Sequence, residues 1–325
     1  MRRVVAVVAL LLALATLAGP ATASRGGHAA ATGVDAVAGE LRLDVTTSGA
    51  VESLGPLVDR LTAEPLLPGR RVTAVQAGTP PEPEGQEGDS LGPVELGSVL
   101  VVEAVRAETG RQENGVLAAE ASVGGGQVEL LGLSVLDVGA VTSRATTHAD
   151  DPPGAGATVS GLEVFGSAVD LPQGEGLDLS LELGTDQVLD LLEDAVPGLS
   201  GVTGLLARAA GAGGTVDVTV RSETAADPDT GSARATGLVA EVSVSLHARL
   251  CVPELGGDGC VGEVAVAADA RVLDLQLAHS EVERPQAVDP GVEWWAVALA
   301  VIGVAGIAVV VTAVRRTAAA QPRSR

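Results

Sequence analysis

The main pattern along this chain is the alternation of apolar and polar residues. Leu41, Leu43 and Val45 alternate with polar neighbours, and a period of two predicts a half-buried β-strand. Further alternating runs lie at 95–107, 116–123, 127–147, 157–171, 215–224, 233–250 and 263–279. Short strands separated by turn residues predict a mainly β protein with an antiparallel, sandwich-like body.

Three of these runs end in the same way. The pattern R-x-x-T occurs at 106–109, 144–147 and 221–224, and a turn rich in Gly, Pro or Asp follows each copy. A glycine and an apolar residue then open the next run, so we expect three β-hairpins built alike. Common ancestry and convergent turn chemistry both remain open. The segment 124–126, three consecutive glycines, predicts another hairpin tip.

Two segments predict short helices. The first, Ser53 to Leu67, has Pro56 in its first turn and reaches Pro65 near its end. The second is a helical insertion near 185–210, where an apolar stripe and early aspartates favour a helix that packs over one edge of the β body.

A polar stretch at 78–93 separates an N-terminal part, residues 24–77, from the main all-β part, residues 94–284. It holds four prolines and four acids, and Leu91 is its single large apolar residue. Such a segment buries little apolar surface. We therefore expect a flexible loop there.

Both ends of the sequence carry targeting features. Residues 1–23 combine Arg2-Arg3, an apolar stretch and an A-x-A site, which together predict a cleaved secretory signal. A first transmembrane helix is the weaker alternative because the apolar stretch is short.

Near the other end, 294–314 carries no charge and would rise about 31 Å as a helix, enough to span a bilayer. The segment 285–293 is predicted as a juxtamembrane linker. The arginine-rich tail 315–325 belongs in the cytoplasm by the positive-inside rule. The sequence thus predicts a single-pass protein of the cell membrane with an extracellular N-terminal ectodomain.

Composition narrows the classes of partner. The formal net charge is −22, which disfavours binding to nucleic acid or to anionic lipid. The acidic excess serves solubility, with cation binding as the alternative. Phe165 is the only aromatic residue of the predicted ectodomain, so the aromatic platforms on which sugars, bases and cations usually stack are missing.

The chain has two cysteines, Cys251 and Cys260, with a turn-rich spacer between them. Export to an oxidising compartment and an even count predict a local disulfide. A metal site is disfavoured because no second cysteine pair or nearby histidine accompanies them.

No motif for a nucleophile, a zinc hydrolase or a phosphate-binding loop occurs, and we expect no cofactor, no metal and no enzymatic activity. Asp227 to Gly231 resembles the start of a calcium loop, but Leu238 stands where the final glutamate belongs, so a β-turn is favoured. Each histidine is interpreted as a surface or strand-face residue; they are His28, His148, His247 and His279.

The block 127–183 carries a family resemblance. Val141 to Thr146 leads through a Pro/Gly turn to Gly161 to Gly166 and then to Val169-Asp170-Leu171. This block resembles actinobacterial secreted surface proteins described by interchangeable C-terminal anchors, including LAETG-anchored streptomycete ones. The resemblance implies a surface protein without assigned catalytic residues. No sortase motif precedes 294–314, and the LAETG-like 106–110 is accidental because no apolar run follows it.

These features together favour a membrane-anchored, extracytoplasmic structural or interaction module of the actinobacterial cell envelope. Its expected partners are the lipid bilayer, through the C-terminal helix, and an envelope protein or wall component. The alternative is a cation-dependent binding protein, or an enzyme with a site built from scattered carboxylates.

Overall fold

The computed structural model describes residues 27–49, 58–59, 62–63, 65–80, 85–111, 116–148, 151–188, 211–253 and 260–284. All of them belong to one unit, Gly27–Arg284. The predicted signal peptide, juxtamembrane linker, transmembrane helix and tail lie outside the described residues. Within the described part, no helix combines the length and the apolar character that crossing a bilayer requires.

Strands make up nearly all of the described regular structure. They are β1 (His28–Ala38), β2 (Asp44–Gly49), β3 (Arg70–Ala77), β4 (Gly85–Leu91), β5 (Val94–Leu96), β6 (Leu100–Arg111), β7 (Leu117–Leu130), β8 (Leu133–Thr147), β9 (Gly154–Ser160), β10 (Glu163–Val164), β11 (Ser167–Ala168), β12 (Gly176–Leu183), β13 (Ala212–Asp227), β14 (Ser232–Pro253) and β15 (Cys260–Glu283).

The strands form two antiparallel sheets. Sheet I has the order β12-β13-β14-β15-β1-β3, and β2 pairs with β15 beyond the end of β1. Sheet II has the order β11-β10-β8-β7-β6-β4, with β5 on β6 and β9 on β8. β15 packs on β7 and β8, and β1 packs on β6 and β7. The predicted mainly β, antiparallel, sandwich-like architecture is confirmed.

The hydrophobic core between the sheets consists of Val, Leu and Ala, and Phe165 is partly buried against it. In β15, Leu273, Leu275 and Leu277 are fully buried, whereas Gln276 between them is exposed. Burying one such leucine contributes about 1.5–3 kcal/mol. The alternation that predicts the strands therefore also selects the face that packs against sheet II.

In sheet I the regular pairing is interrupted at one level on five neighbouring strands. Gly33 of β1 is not part of the regular pairing with either neighbouring strand. The residues opposite it are Val75 of β3 and Ala278 of β15, which have positive φ angles of 59° and 54°. The same level passes through Gly237 in β14 and a bulge at Ser222 in β13. Bulges bend strands and re-aim side chains. We call this row the kink line.

Two glycines on the kink line allow the sheets to approach closely. A Cβ atom on Gly33 would overlap the Val105 side chain of β6, and one on Gly237 would overlap Val141 of β8. Both valines belong to sheet II. Only glycine fits at these two positions, because the gap between the sheets is too narrow for a Cβ atom.

The three predicted R-x-x-T hairpins are present as β6–β7, β8–β9 and β13–β14. The predicted openings of two second strands are wrong, because Gly161 follows the end of β9 and Gly237 lies inside β14. The hairpin tip predicted at 124–126 is wrong, because Gly124 and Gly126 pair with both neighbouring strands inside β7. The turn instead lies at Leu131 and Gly132, with φ of 50° and 79°. Positive φ at both central residues is the geometry of a tight hairpin turn.

The loop predicted at 78–93 also differs from the structure. Residues 85–91 form β4, which pairs with β6 at the edge of sheet II, and Leu91 is 51% exposed. β4 therefore gains its order from backbone pairing with a buried neighbour, and its own apolar content contributes little. Residues 81–84 lie outside the described part.

The predicted helices are described only in part. Residues 58–59 and 62–63 are helical, and the Thr62 hydroxyl donates to the Val58 carbonyl over 3.0 Å. Leu67 forms a β-bridge with Leu41, so this helix ends before the predicted Leu67.

The second helix begins at Thr185, as predicted. Gln187 Oε1 accepts the Gly184 N–H over 2.9 Å, the Val188 N–H donates to the Gly184 carbonyl, and Val188 is fully buried. Residues 189–210 lie outside the described residues.

Candidate functional site

The kink line creates a polar groove on the outer face of sheet I. Strand residues three positions apart normally lie on opposite faces of a sheet. Each of the pairs Thr32–Asp35 and Gln276–His279 spans the kink line, and the irregular pairing there places both members of the pair in the same groove. Its volume is about 190 Å³. The lining residues are Thr32, Asp35, Arg71, Thr73, Gln76, Gln276 and His279.

One wall of this groove is organised around Asp35. Its carboxylate accepts hydrogen bonds from Arg71 Nη2 at 3.0 Å and from the Thr73 hydroxyl at 2.9 Å. The Arg71 side chain is 67% exposed, and exposed ion pairs contribute about 0–1 kcal/mol. The pair therefore orients the wall of the groove and adds little to the stability.

The other wall contains His279. Its Nδ1 lies 3.0 Å from the hydroxyl of Thr236, a buried residue, and its Nε2 lies 3.7 Å from a Glu281 carboxylate oxygen. Burial lowers the pKa of His279 below its ordinary value; Glu281 opposes this shift and the positive charge of Arg234 adds to it. A neutral ring that carries its proton on Nε2 can accept a hydrogen bond from the Thr236 hydroxyl at Nδ1. Its Nε2–H then points toward the Glu281 carboxylate.

The rest of the groove offers uncharged hydrogen-bonding groups. Within the described residues, the structure records no hydrogen bond from the Thr32 hydroxyl or from the side-chain amides of Gln76 and Gln276. Together with the neutral imidazole, these groups can donate to and accept from a polar ligand.

A second, larger groove of about 470 Å³ lies on sheet II. Glu108 and Glu120 stand directly opposite each other in the β6–β7 ladder, and Arg144 stands opposite Glu120 in the β7–β8 ladder. Arg106 forms an ion pair with Glu108. Opposite charges on neighbouring strands offset the repulsion between the two glutamates, so this groove has the character of a solvated charged face.

The R-x-x-T pattern has a structural explanation. A spacing of three on a strand places the two side chains on opposite faces. Thr109 and Thr147 are buried and donate to carbonyls of the other layer, Thr109 to Gly78 and Thr147 to Gly231 at 2.8 Å. In the third copy Thr224 is exposed, as are all residues from 224 to the end of β13.

The calcium-like segment is a turn, as predicted. Asp227 Oδ1 accepts the backbone N–H of Asp229 at 2.9 Å. Hydrogen bonds from the Thr230 side chain and the Asp229 backbone lower the pKa of Asp227. The described part of the chain contains no group of three or more His, Cys, Asp or Glu residues placed to hold a metal ion.

The structure places the four histidines on separate elements. His28 opens β1, with Nδ1 at 3.2 Å from the Thr79 hydroxyl. His148 follows β8, with Nδ1 at 3.2 Å from Asp151, whereas His247 is exposed on β14 and His279 lies on β15. Only His279 lines one of the two grooves described above. Sequence reasoning missed this role because the kink line has no local signature.

The two cysteines lie at the far end of the β14–β15 hairpin. Cys251 stands opposite Glu263, and Cys260 stands opposite Pro253. Their side chains lie outside the described part of the structure, so the disulfide stays a prediction.

No protein-family model matches this chain, and no curated protein matches it. The resemblance of residues 127–183 to anchored surface proteins stays a prediction.

Proposed function

We propose that this chain is a membrane-anchored, extracytoplasmic structural or interaction module of the actinobacterial cell envelope, without catalytic activity. Residues 294–314 hold it in the cell membrane as a single span, with the β unit outside and the tail 315–325 in the cytoplasm. Its partners are the lipid bilayer, through that span, and an envelope protein or wall component. The negative charge disfavours nucleic acid as a partner.

The observation that carries this proposal is the pairing of the first and last strands. His28 stands opposite Glu283 in the β1–β15 ladder, so the chain enters and leaves the β unit at the same end. β15 has 24 residues, which at about 3.3 Å per residue gives a contour length of about 79 Å. The link to the proposed anchor therefore leaves the β unit at the end where β1 begins.

The outer faces suit contact with a polar partner. The groove at the kink line offers neutral hydrogen-bonding groups, and the groove of sheet II offers paired charges. A large contiguous apolar surface would be expected for a tight obligate partner. The exposed large apolar residues of the described part are instead scattered; they are Val37, Leu91, Val101 and Val261.

Protease protection and extraction test the proposal together. Protease added to intact, wall-stripped cells should remove the β unit and leave a short protected C-terminal fragment, which disappears when the cells are permeabilised. Detergent alone should release the mature protein, whereas truncation after Pro290 should send it into the medium. A protected β unit, or release that requires wall digestion, would contradict the proposal.

A further inference from the structure

The last strand of the unit, β15, is hydrogen-bonded on both edges along almost all of its length. On one side β14 pairs with it from Ser232–Glu283 to Pro253–Cys260. On the other side β1 pairs with its C-terminal half and β2 with its N-terminal half. Between these two ladders, the Gly39 N–H donates to the Val272 carbonyl at 3.0 Å.

The point where β15 ends is fastened to both sheets. The Arg284 N–H donates to the Gly231 carbonyl in the β13–β14 turn at 3.1 Å. The Arg284 guanidinium donates to the carbonyls of His148 and Asp151, each at 3.1 Å, in the turn that leads from β8 to β9 of sheet II. One arginine thus joins the exit of the chain to turns of sheet I and sheet II.

We propose that β15 is the tension-carrying element of this protein, which transmits pulling force from the C-terminal anchor into both sheets. Ladder hydrogen bonds in an antiparallel sheet run perpendicular to the strands. When a pulling force acts on the C-terminal end of β15 and the opposing force acts at the far end of a neighbouring strand, the two strands are pulled along each other. All the ladder hydrogen bonds between these two points then carry the load together, in shear. Force that separates two strands from a shared end breaks the bonds one after another.

The source of the tension depends on the proposed membrane anchor, but the mechanical asymmetry belongs to the β unit alone. Two exposed arginines on β14 provide matched attachment points. Arg249 lies toward the far end of the strand, opposite Ala265, and Arg234 lies near the exit of the chain, opposite Glu281. Pulling Arg249 against the C-terminus shears β14 along β15, whereas pulling Arg234 against it peels the same two strands apart.

Single-molecule force spectroscopy on the full-length protein in detergent micelles tests the proposal. One DNA handle is attached after Arg325, and the other is attached through an azide-bearing residue that replaces Arg249 or Arg234. We expect a rupture force several-fold higher for the Arg249 attachment. Equal forces, or a higher force for the Arg234 attachment, would overturn the proposal, whatever the topology experiment shows.

The role of the exit contact is tested in the shear arrangement. Arg284→Ala should lower the rupture force because the guanidinium bonds to sheet II are lost. Arg42→Ala, which removes an exposed arginine paired with Glu40 outside the strands, is the control and should leave the force unchanged. If Arg284→Ala also leaves the force unchanged, the exit contact is not part of the force path, and that part of the proposal is wrong.

Discussion

The hydroxyl groups of Ser143 and Ser280 lie 2.7 Å apart in the interior, although the residues belong to different sheets. Ser280 is fully buried and Ser143 is 2% exposed. Ser280 Oγ also lies within hydrogen-bond distance, 3.2 Å, of the Ser143 carbonyl. These two serines form a polar contact between the sheets within a largely aliphatic interior, and each hydroxyl provides the other with a hydrogen-bond partner.

Removal of one serine should therefore cost more than removal of both. Ser280→Ala leaves the Ser143 hydroxyl buried without its partner, and we expect a loss of about 1–3 kcal/mol in the free energy of unfolding. The double variant with Ser143→Ala should recover part of this loss. Urea denaturation of the single and double variants measures the coupling, and strictly additive losses would contradict a shared hydrogen bond.

Gly237 on the kink line should not tolerate a side chain. A Cβ atom there would overlap the Val141 side chain and lie 3.2 Å from the Leu277 carbonyl oxygen, so Gly237→Ala should cost about 1–3 kcal/mol. Gly156→Ala is the matched control, because no atom lies within 4 Å of its added Cβ.

Thermal unfolding of both glycine variants gives the comparison. Adding Val141→Ala to Gly237→Ala should restore part of the stability, since the overlapping methyl group is gone. An equal loss in the Gly237 and Gly156 variants would show that close approach of the sheets is not the cause.

His279 should make the stability sensitive to acid. Because burial lowers its pKa in the folded state from the ordinary value of 6.5, the unfolded chain takes up this proton more readily. The contribution of His279 is complete above pH 6.5 and is lost as pH falls below that value. Denaturation at pH 7.5 and pH 5.5 should show a smaller difference in His279→Gln than in the wild type.

The exposed His247→Gln variant is the control for the acid effect and should retain the wild-type difference between the two pH values. An NMR titration of the His279 ring provides an independent measurement. A titration midpoint of the His279 ring above pH 6.5 would contradict the lowered pKa of His279.

Cys251 and Cys260 should form a disulfide in the exported protein. Thiol alkylation of the native wild type should modify neither residue, whereas Cys260→Ser should leave Cys251 open to alkylation. Loss of so short a closed ring should lower the stability by about 2–3 kcal/mol. Free thiols in the native wild-type protein would disprove the bridge.

Periodicity alone was sufficient for the β class and for much of the core. Leu273, Leu275 and Leu277 alternate with polar residues and are all buried. The R-x-x-T hairpins were also predictable, because turn chemistry and strand alternation are local properties. The start of the helix at Thr185 was predictable in the same way, from the apolar stripe and the early aspartates.

Local pattern could not reveal the elements that depend on neighbours. β1 is rich in alanine, a residue depleted in strands, yet it pairs on both sides, with β15 and with the edge strand β3 of sheet I. β4 is polar and exposed, and it is a strand because β6 supplies its hydrogen bonds. In both cases the hydrogen bonds of the partner strands supply the order that the strand's own residues do not predict.

The sequence by itself determined the strand periodicity, the hairpin ends and the predicted signal and anchor, since each depends on residues close together in the chain. Only the tertiary structure decided the kink line, which needs Gly33, Ala278 and Gly237 at one level of three paired strands. It also decided the Ser143–Ser280 contact and the place of His279 in a groove. These features depend on strand register and sheet packing, which are set by many distant contacts at once.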